Sequence, residues 1–375
     1  MDNLIFIGKY SLYENFQTAD AKRVINQVNY LKHYYKTLII TLSPKGSSYN
    51  FNINLKSNAH KNFIDLIRFF FYWFYIIWLL TSRREKKNYL ILESVVELYS
   101  SIPILFAKLL GYKIVHDVVE DFSLATVDTT TNQKLIAIIS KWYEKRIIKY
   151  CSGLIIISQR LLLKFQYLDL PIIKIYNSVP CQNYTPGNKE PNKFVYFYSG
   201  SFGSKDGVKD LIDAFELIFR SRKNIHLKLV GKGYGKYYDE CLKKIKGNDN
   251  ITYLGFLPEN EMITELRSSH VLCITRTNSE FANNGFPFKL AEYMSFGIPV
   301  LTTTVSDIPL ILKNNDTAFF AIPEDIGSIA ETMKKIILNY NNSIEVGKNG
   351  RSFCLKNFSI NTIGTQFQSF LESIN

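Results

Sequence analysis

Three hundred and seventy-five residues are too many for one small core and about right for two domains. Hydrophobic residues make up 46% and charged ones 21%, ordinary globular usage that excludes a disordered or collagen-like chain. Lys plus Arg number 45 against 33 acids, a formal charge of +12, which favours anionic partners: phosphates, nucleotides, nucleic acid or an acidic membrane face.

In chain order, Asn3–Gly8 reads as a strand ending in glycine. Ala19–His33 follows as a helix with Ala21, Val24, Val28 and Leu31 on one face, and Thr37–Leu42 as a second strand. No basic leader with a cleavage site precedes the first strand, which predicts a cytosolic protein. Phe69–Leu80 is twelve apolar residues without a break. As a helix it covers roughly 18 Å against about 30 Å of hydrocarbon, too short to span a bilayer. It holds Trp73 and Trp78, and residues 56–90 carry a net charge of +5, a combination that suits a helix lying on anionic lipid. Tyr89–Leu92, Ile102–Leu110, Lys113–Val115, Trp142–Tyr150, Gly153–Ser158 and Ile172–Ile175 continue the alternation. Such spacing predicts a parallel, doubly wound α/β sheet.

Pro180–Pro191, with three prolines and a glycine in twelve residues, is the clearest linker. The alternation then restarts. Strands are expected at Phe194–Tyr198, His226–Val230, Ile251–Tyr253, Val271–Thr275 and Pro299–Thr303. Helices are expected at Val208–Arg220, Tyr237–Lys246, Asn260–Ser268, Phe288–Ser295 and Ile326–Asn339. Five dispersed cysteines (Cys151, Cys181, Cys241, Cys273, Cys354) form no C-x-x-C pair and read as reduced thiols.

The longest chemical signal is Asn283–Thr303. Gly285 and Pro287 open a turn whose amides can face an anion, and Glu292 stands one turn into the helix that follows. A carboxylate so placed suits the paired hydroxyls of a ribose. In Tyr198–Gly207, after the first strand of the second half, Gly200 and Gly203 let backbone amides approach a diphosphate whose charge Lys205 neutralises. Leu229–Gly235 is glycine-rich but lacks the G-x-G-x-x-G spacing. In the first half, Lys22 and Arg23 open a helix after the strand ending at Gly8. His116, Asp117 and Glu120 end a later strand, where catalytic residues of doubly wound sheets gather. The sequence has no Ser-His-Asp order, metal cluster or Walker loop.

Asn283–Thr303 resembles the nucleotide-sugar signature of the group 1 (family 4) glycosyltransferases. That family has the GT-B fold, two Rossmann-like doubly wound domains facing a central cleft. Many members read acid, seven residues, acid, then a small-residue-Gly-x-Pro-Val run. Glu292 matches the second acid and Asn284 stands at the first. Pro287–Met294 is similar to a subset reading Pro-x-Lys-Leu-x-Glu-Tyr-Met, which also lacks the first acid. The resemblance implies that Glu292 holds the ribose, that Asn284 touches the donor sugar, and that Gly285, Phe286 and Lys289 belong to the donor site. The family's Gly-Arg…Lys-Gly element matches Gly200 and Lys205, with Ser201 in the place of the arginine and Lys209 or Lys289 to replace its charge. Phe256 is implied at the base, Gly8 and Arg23 on the acceptor and phosphate side, and His116, Asp117 and Glu120 at the reacting sugar or acceptor hydroxyl.

The resemblance is firm over about 195–340 and looser over 1–180. It implies domains at 1–180 and 192–358, with a last helix, 359–375, returning to the first. The implied reaction moves a sugar from a nucleotide diphosphate donor to a glycan or polyprenyl-diphosphate-linked acceptor, with retention and with no metal or other cofactor. The implied setting is bacterial surface polysaccharide synthesis, by a cytoplasmic protein peripheral on the inner face of the cell membrane, with an anionic membrane surface and no nucleic acid among its partners. Two alternatives stand beside it. One is a catalytically inactive GT-B scaffold that binds nucleotide sugar or glycan. The other is an NAD-dependent oxidoreductase, which the missing fingerprint after the first strand disfavours.

Overall fold

The computed structural model describes residues 1–8, 19–41, 52–54, 63–93, 101–121, 145–180, 187–190, 192–220 and 224–374. The chain divides into two units, the first made of Met1–Ser178 with Ile360–Asn375 and the second of Val179–Ser359. The boundary thus falls at the start of the proline-rich stretch, of which 181–186 and 191 lie outside the described residues.

Unit 1 holds a seven-stranded sheet in the order β3-β2-β1-β4-β5-β6-β7. The strands are β1 (Asp2–Gly8), β2 (Tyr35–Thr41), β3 (Asn52–Asn54), β4 (Asn88–Glu93), β5 (Lys113–Val118), β6 (Gly153–Ile156) and β7 (Ile172–Lys174). Every neighbouring pair runs parallel. Helices cover both faces, which is why β4 is buried along its whole length. On one face α1 (Ala19–Leu31) sets Ala21, Val24, Val28 and Leu31 against Leu4, Phe6 and Ile91, joined there by Phe367, Phe370 and Leu371 of the helix Ile360–Ser373. These two helices meet so closely that a Cβ on Gly364 would lie 2.3 Å from the Tyr30 ring. On the other face α2 (Phe63–Ser82) and α3 (Ser101–Leu109) bury Ile76, Leu79, Leu80, Ile104 and Ala107. Over its later, described part the outer side of α2 is exposed: Phe74 is 69% and Trp78 58% exposed. Among the described residues, no helix is long and apolar enough to cross a membrane.

The strand expected to reach Ser158 stops at Ile156, because Ser158 caps a further helix, Gln159–Phe165, its hydroxyl accepting from the Leu161 amide at 3.3 Å.

Unit 2 holds a six-stranded sheet in the order β10-β9-β8-β11-β12-β13. Its strands are β8 (Phe194–Ser199), β9 (Ile225–Val230), β10 (Ile251–Tyr253), β11 (Val271–Ile274), β12 (Val300–Thr303) and β13 (Phe319–Ala321), again all parallel. The helices Val208–Phe219 and Ile326–Leu338 bury Leu211, Phe215, Ile329 and Met333 against Tyr196 and Leu227. The chain runs outward from β8 to β10 and returns to β11, so strand order reverses between β8 and β11. A parallel sheet opens a crevice beyond the carboxyl ends of its strands at such a reversal.

Candidate functional site

Three glycines bring the strand ends of unit 2 together. Gly207, at φ 64°, starts the Val208–Phe219 helix, and a Cβ there would lie 1.8 Å from the Thr275 carbonyl oxygen beyond β11. Thr275 returns the contact by donating its hydroxyl to the Gly207 carbonyl at 3.0 Å. Gly231, at φ 140°, follows β9, and its Cβ would stand 1.7 Å from the Gly200 carbonyl oxygen. No other residue allows these approaches.

Cations gather beside these strand ends. Lys289, on the helix Phe288–Ser295, places Nζ 3.3 Å from the Tyr198 hydroxyl and 4.0 Å from Asp206 Oδ1. A Cβ on Gly200 would meet that ammonium at 1.9 Å, so the glycine makes room for it. Asp206 is buried and accepts from the Ser201 hydroxyl. Burial opposes its ionisation, yet Lys289, Arg276 and Lys205 together hold its carboxyl below the usual range. Burial pushes the Lys289 ammonium down, helped by Arg276 and Lys205 and opposed by Asp206 and Glu292. The Lys205 ammonium lies 4.3 Å from the Phe281 ring centroid. Lys289, Arg276 and Lys205 thus all act on the Asp206 carboxylate, and Lys289 on Glu292 as well. Of the two lysines proposed to replace the charge missing at Ser201, only Lys289 joins this group. Lys209 is paired with Glu240 at 3.1 Å.

The Asn283–Thr303 stretch is pinned at both ends. The Ser199 amide donates to the Tyr293 hydroxyl at 2.8 Å, fixing the Phe288–Ser295 helix to the end of β8. Asn283 donates to Asn278 Oδ1 at 2.8 Å and accepts from the Ser306 amide at 2.9 Å, tying together the loops after β11 and β12. Glu292 and Asn284 are half-buried. Phe256 is 42% exposed, with the Lys232 ammonium 4.7 Å from its ring centroid. Phe286 departs from its expected place in the donor site: it is buried, with its ring against Phe358, and belongs to the core.

Unit 1 corrects two further expectations. Arg23 is buried, and it donates to Asp117 at 2.8 and 3.0 Å, to Asn177 Oδ1 at 3.0 Å and to the Tyr176 and Ile175 carbonyls at 3.0 and 3.2 Å. Its whole fork is consumed inside the fold, and both Asp117 oxygens with it. The pair ties together α1, the end of β5 and the segment after β7. His116 is also buried, donating from Nδ1 to the Leu92 carbonyl at 3.1 Å. Gly8 is buried at the end of β1, and Glu120 lies half-buried beyond β5. Lys9–Ser11 lie outside the described residues. Glu93, which no motif marks, ends β4 in register with Asp117. Its Oε1 has no hydrogen-bond partner among the described residues. Burial, with the Asp117 charge added, pushes the Glu93 carboxyl well above the carboxylate range.

Residues 184–353 match the family model for glycosyl transferases group 1. The chain carries a group 1 glycosyltransferase domain. Lys205, Arg276, Lys289 and Glu292 all fall inside the matched residues. A capsular polysaccharide biosynthesis glycosyltransferase of Staphylococcus aureus, CapM, is 25% identical over 183 residues, 48% of this chain and 46% of that protein. The chain thus spans about half the length of the curated relatives it matches. Among solved structures, the sucrose-phosphate synthase of Thermosynechococcus elongatus superposes with a TM-score of 0.77 at 13% identity, covering 100% of this chain and 99% of that one. Anabaena HepE, solved with UDP and glucose, gives 0.74 at 14% identity and 100% of both chains. These likenesses, with the two doubly wound parallel sheets, establish the α/β GT-B fold around the glycosyltransferase domain.

Proposed function

We propose that the protein transfers a sugar from a nucleoside diphosphate sugar to a glycan or polyprenyl-diphosphate-linked acceptor during assembly of a bacterial surface polysaccharide. The observation that carries this reading is the cluster at the strand reversal of unit 2, where Lys289 lies 4.0 Å from the buried Asp206 and Arg276 and Lys205 act on the same carboxylate. A diphosphate bound there brings its negative charge to these cations. Glu292, on the same helix as Lys289, accepts from the ribose hydroxyls. Similarity to a capsular polysaccharide glycosyltransferase supports the setting, and the fold shared with a UDP-bound protein supports the donor class.

In the reaction the bond from the anomeric carbon to the diphosphate oxygen breaks, and its electron pair leaves on the diphosphate. The cations stabilise that charge, which removes the need for a metal. The acceptor oxygen bonds to the anomeric carbon from the leaving-group face, and its proton passes to the departing phosphate oxygen. Configuration is thereby retained. The exposed side of α2, with Phe74, Trp78 and the exposed Arg83, Arg84, Lys86 and Lys87 beyond it, suits docking on anionic lipid at the cytoplasmic face.

The test is a thermal-shift panel of nucleotide sugars, followed by turnover of the best binder and NMR of the product. Activity in EDTA and an unchanged anomeric form are expected. Magnesium-dependent rescue after chelation refutes metal independence, an inverted product refutes retention, and donor binding without hydrolysis or transfer leaves a nucleotide-sugar scaffold.

A further inference from the structure

Arg276 stands one residue beyond Thr275 after β11, across the strand reversal from Gly200 and Ser201. Its backbone is held on both sides. The Thr303 hydroxyl donates to the Arg276 carbonyl at 2.7 Å, and Thr275 sits flush against Gly207. The residue is 6% exposed. A guanidinium carries five N–H donors in a planar fork. Among the described residues this one donates a single hydrogen bond, to the Ala282 carbonyl at 3.4 Å, and forms no ion pair. Arg23, at similar depth in unit 1, shows what a structural arginine does, since every arm of its fork is spent on Asp117, Asn177 and two carbonyls. Burying a charged fork while leaving it almost unused is costly unless a ligand completes it.

The surroundings say which ligand. Asp206 is the carboxylate that feels Arg276, and it is shared with Lys205 and Lys289. Lys289 in turn feels the repulsion of Arg276 and Lys205. An anion with several oxygens relieves both, and a guanidinium fork takes phosphate oxygens in pairs as no ammonium does. Ser201, where an arginine was expected, is bound to Asp206 and contributes no charge.

We propose that Arg276 grips the diphosphate of the donor, supplying from the end of β11 the cation that Ser201 lacks on the loop after β8. The inference rests on the nucleotide-sugar reading above. It is tested by calorimetry of the full chain with UDP, UMP, GDP and ADP, comparing wild type with Arg276→Gln and checking the fold of each by circular dichroism. About a tenfold or larger loss of affinity is expected for the diphosphate that wild type binds best. For UDP the gap between UDP and UMP should narrow, which a general disturbance of a base or ribose pocket does not produce. Adding Ser201→Arg to the Arg276→Gln variant should recover part of the loss. Wild type that binds none of the diphosphates overturns the nucleotide-sugar reading together with the inference. Wild type that binds, beside a folded variant that binds equally, overturns the inference alone. Where Arg276→Gln fails to fold, phenylglyoxal modification of wild type decides, read at Arg276 by peptide mass spectrometry. Protection by the bound diphosphate supports the contact; an Arg276 that is unreactive, or equally reactive with and without it, overturns the contact.

Discussion

Glu93 and Asp117 face each other at the ends of β4 and β5, with Arg23 the cation that acts on both among the described residues. Asp117 takes the ion pair, so Glu93 keeps its proton in the folded state far above the ordinary carboxylate range of about 4.3. The folded chain then binds a proton that the unfolded chain releases. Stability from this group is complete below the unfolded value and declines as pH rises through the raised folded value. Denaturant melts at pH 5, 6.5 and 8 should show wild type weakening with pH and Glu93→Gln weakening less; parallel declines would refute the assignment. At the donor site, Glu292→Gln should cost roughly 1.5–3 kcal/mol of donor affinity, about tenfold or more, because a neutral amide loses charge-assisted bonds to the ribose hydroxyls. Calorimetry with the free nucleoside diphosphate checks it. Glu292 and Lys205 could be marked as candidates in the sequence because their signals are local: a carboxylate one turn into a helix, a lysine after a glycine turn. Asp117 and Arg23 were misread because the partner that silences each lies 94 residues away, and no spacing rule reports that. Arg276 carries no local signal either: the sheet order, not sequence spacing, sets the end of β11 beside β8.

Elements read from apolar spacing came through where one face is covered and the other wet, as in α1. An all-apolar helix such as α2 gives no such contrast. Its sequence could not say which side is buried, whereas the structure turns Ile76, Leu79 and Leu80 inward and leaves Phe74 and Trp78 outside. The lipid reading therefore makes a side-specific prediction. Phe74→Ser with Trp78→Ser should reduce binding to anionic vesicles without loss of the folded state, and that binding should weaken with salt. Equal partitioning onto neutral vesicles would remove the electrostatic part. Between strands, Gly231→Ala drives a methyl into the Gly200 carbonyl at an unfavourable backbone angle. A loss of about 2–4 kcal/mol is expected, read as a lower denaturation midpoint; an unchanged midpoint would show that the loop yields.

At the scale of the molecule, regular alternation of strand and helix made two doubly wound sheets legible from composition and spacing alone. What alternation cannot convey is which sheet a late helix joins, since Ile360–Ser373 carries the same kind of apolar stripe whichever partner it takes. In the fold it closes the face of unit 1 formed by β1, β4 and α1. On the ribosome this reverses the order of completion. The stretch Val179–Ser359 should be able to pack once Ser359 leaves the exit tunnel, while the half translated first should still leave Leu4, Phe6, Val24 and Leu31 without the last helix to cover them. A nascent chain arrested near residue 359, extended by a linker that clears the tunnel, should therefore yield a protease-resistant fragment from its later half and a sensitive earlier half. Release of the last helix should render both resistant, and an earlier half that resists digestion before that helix emerges would refute the order.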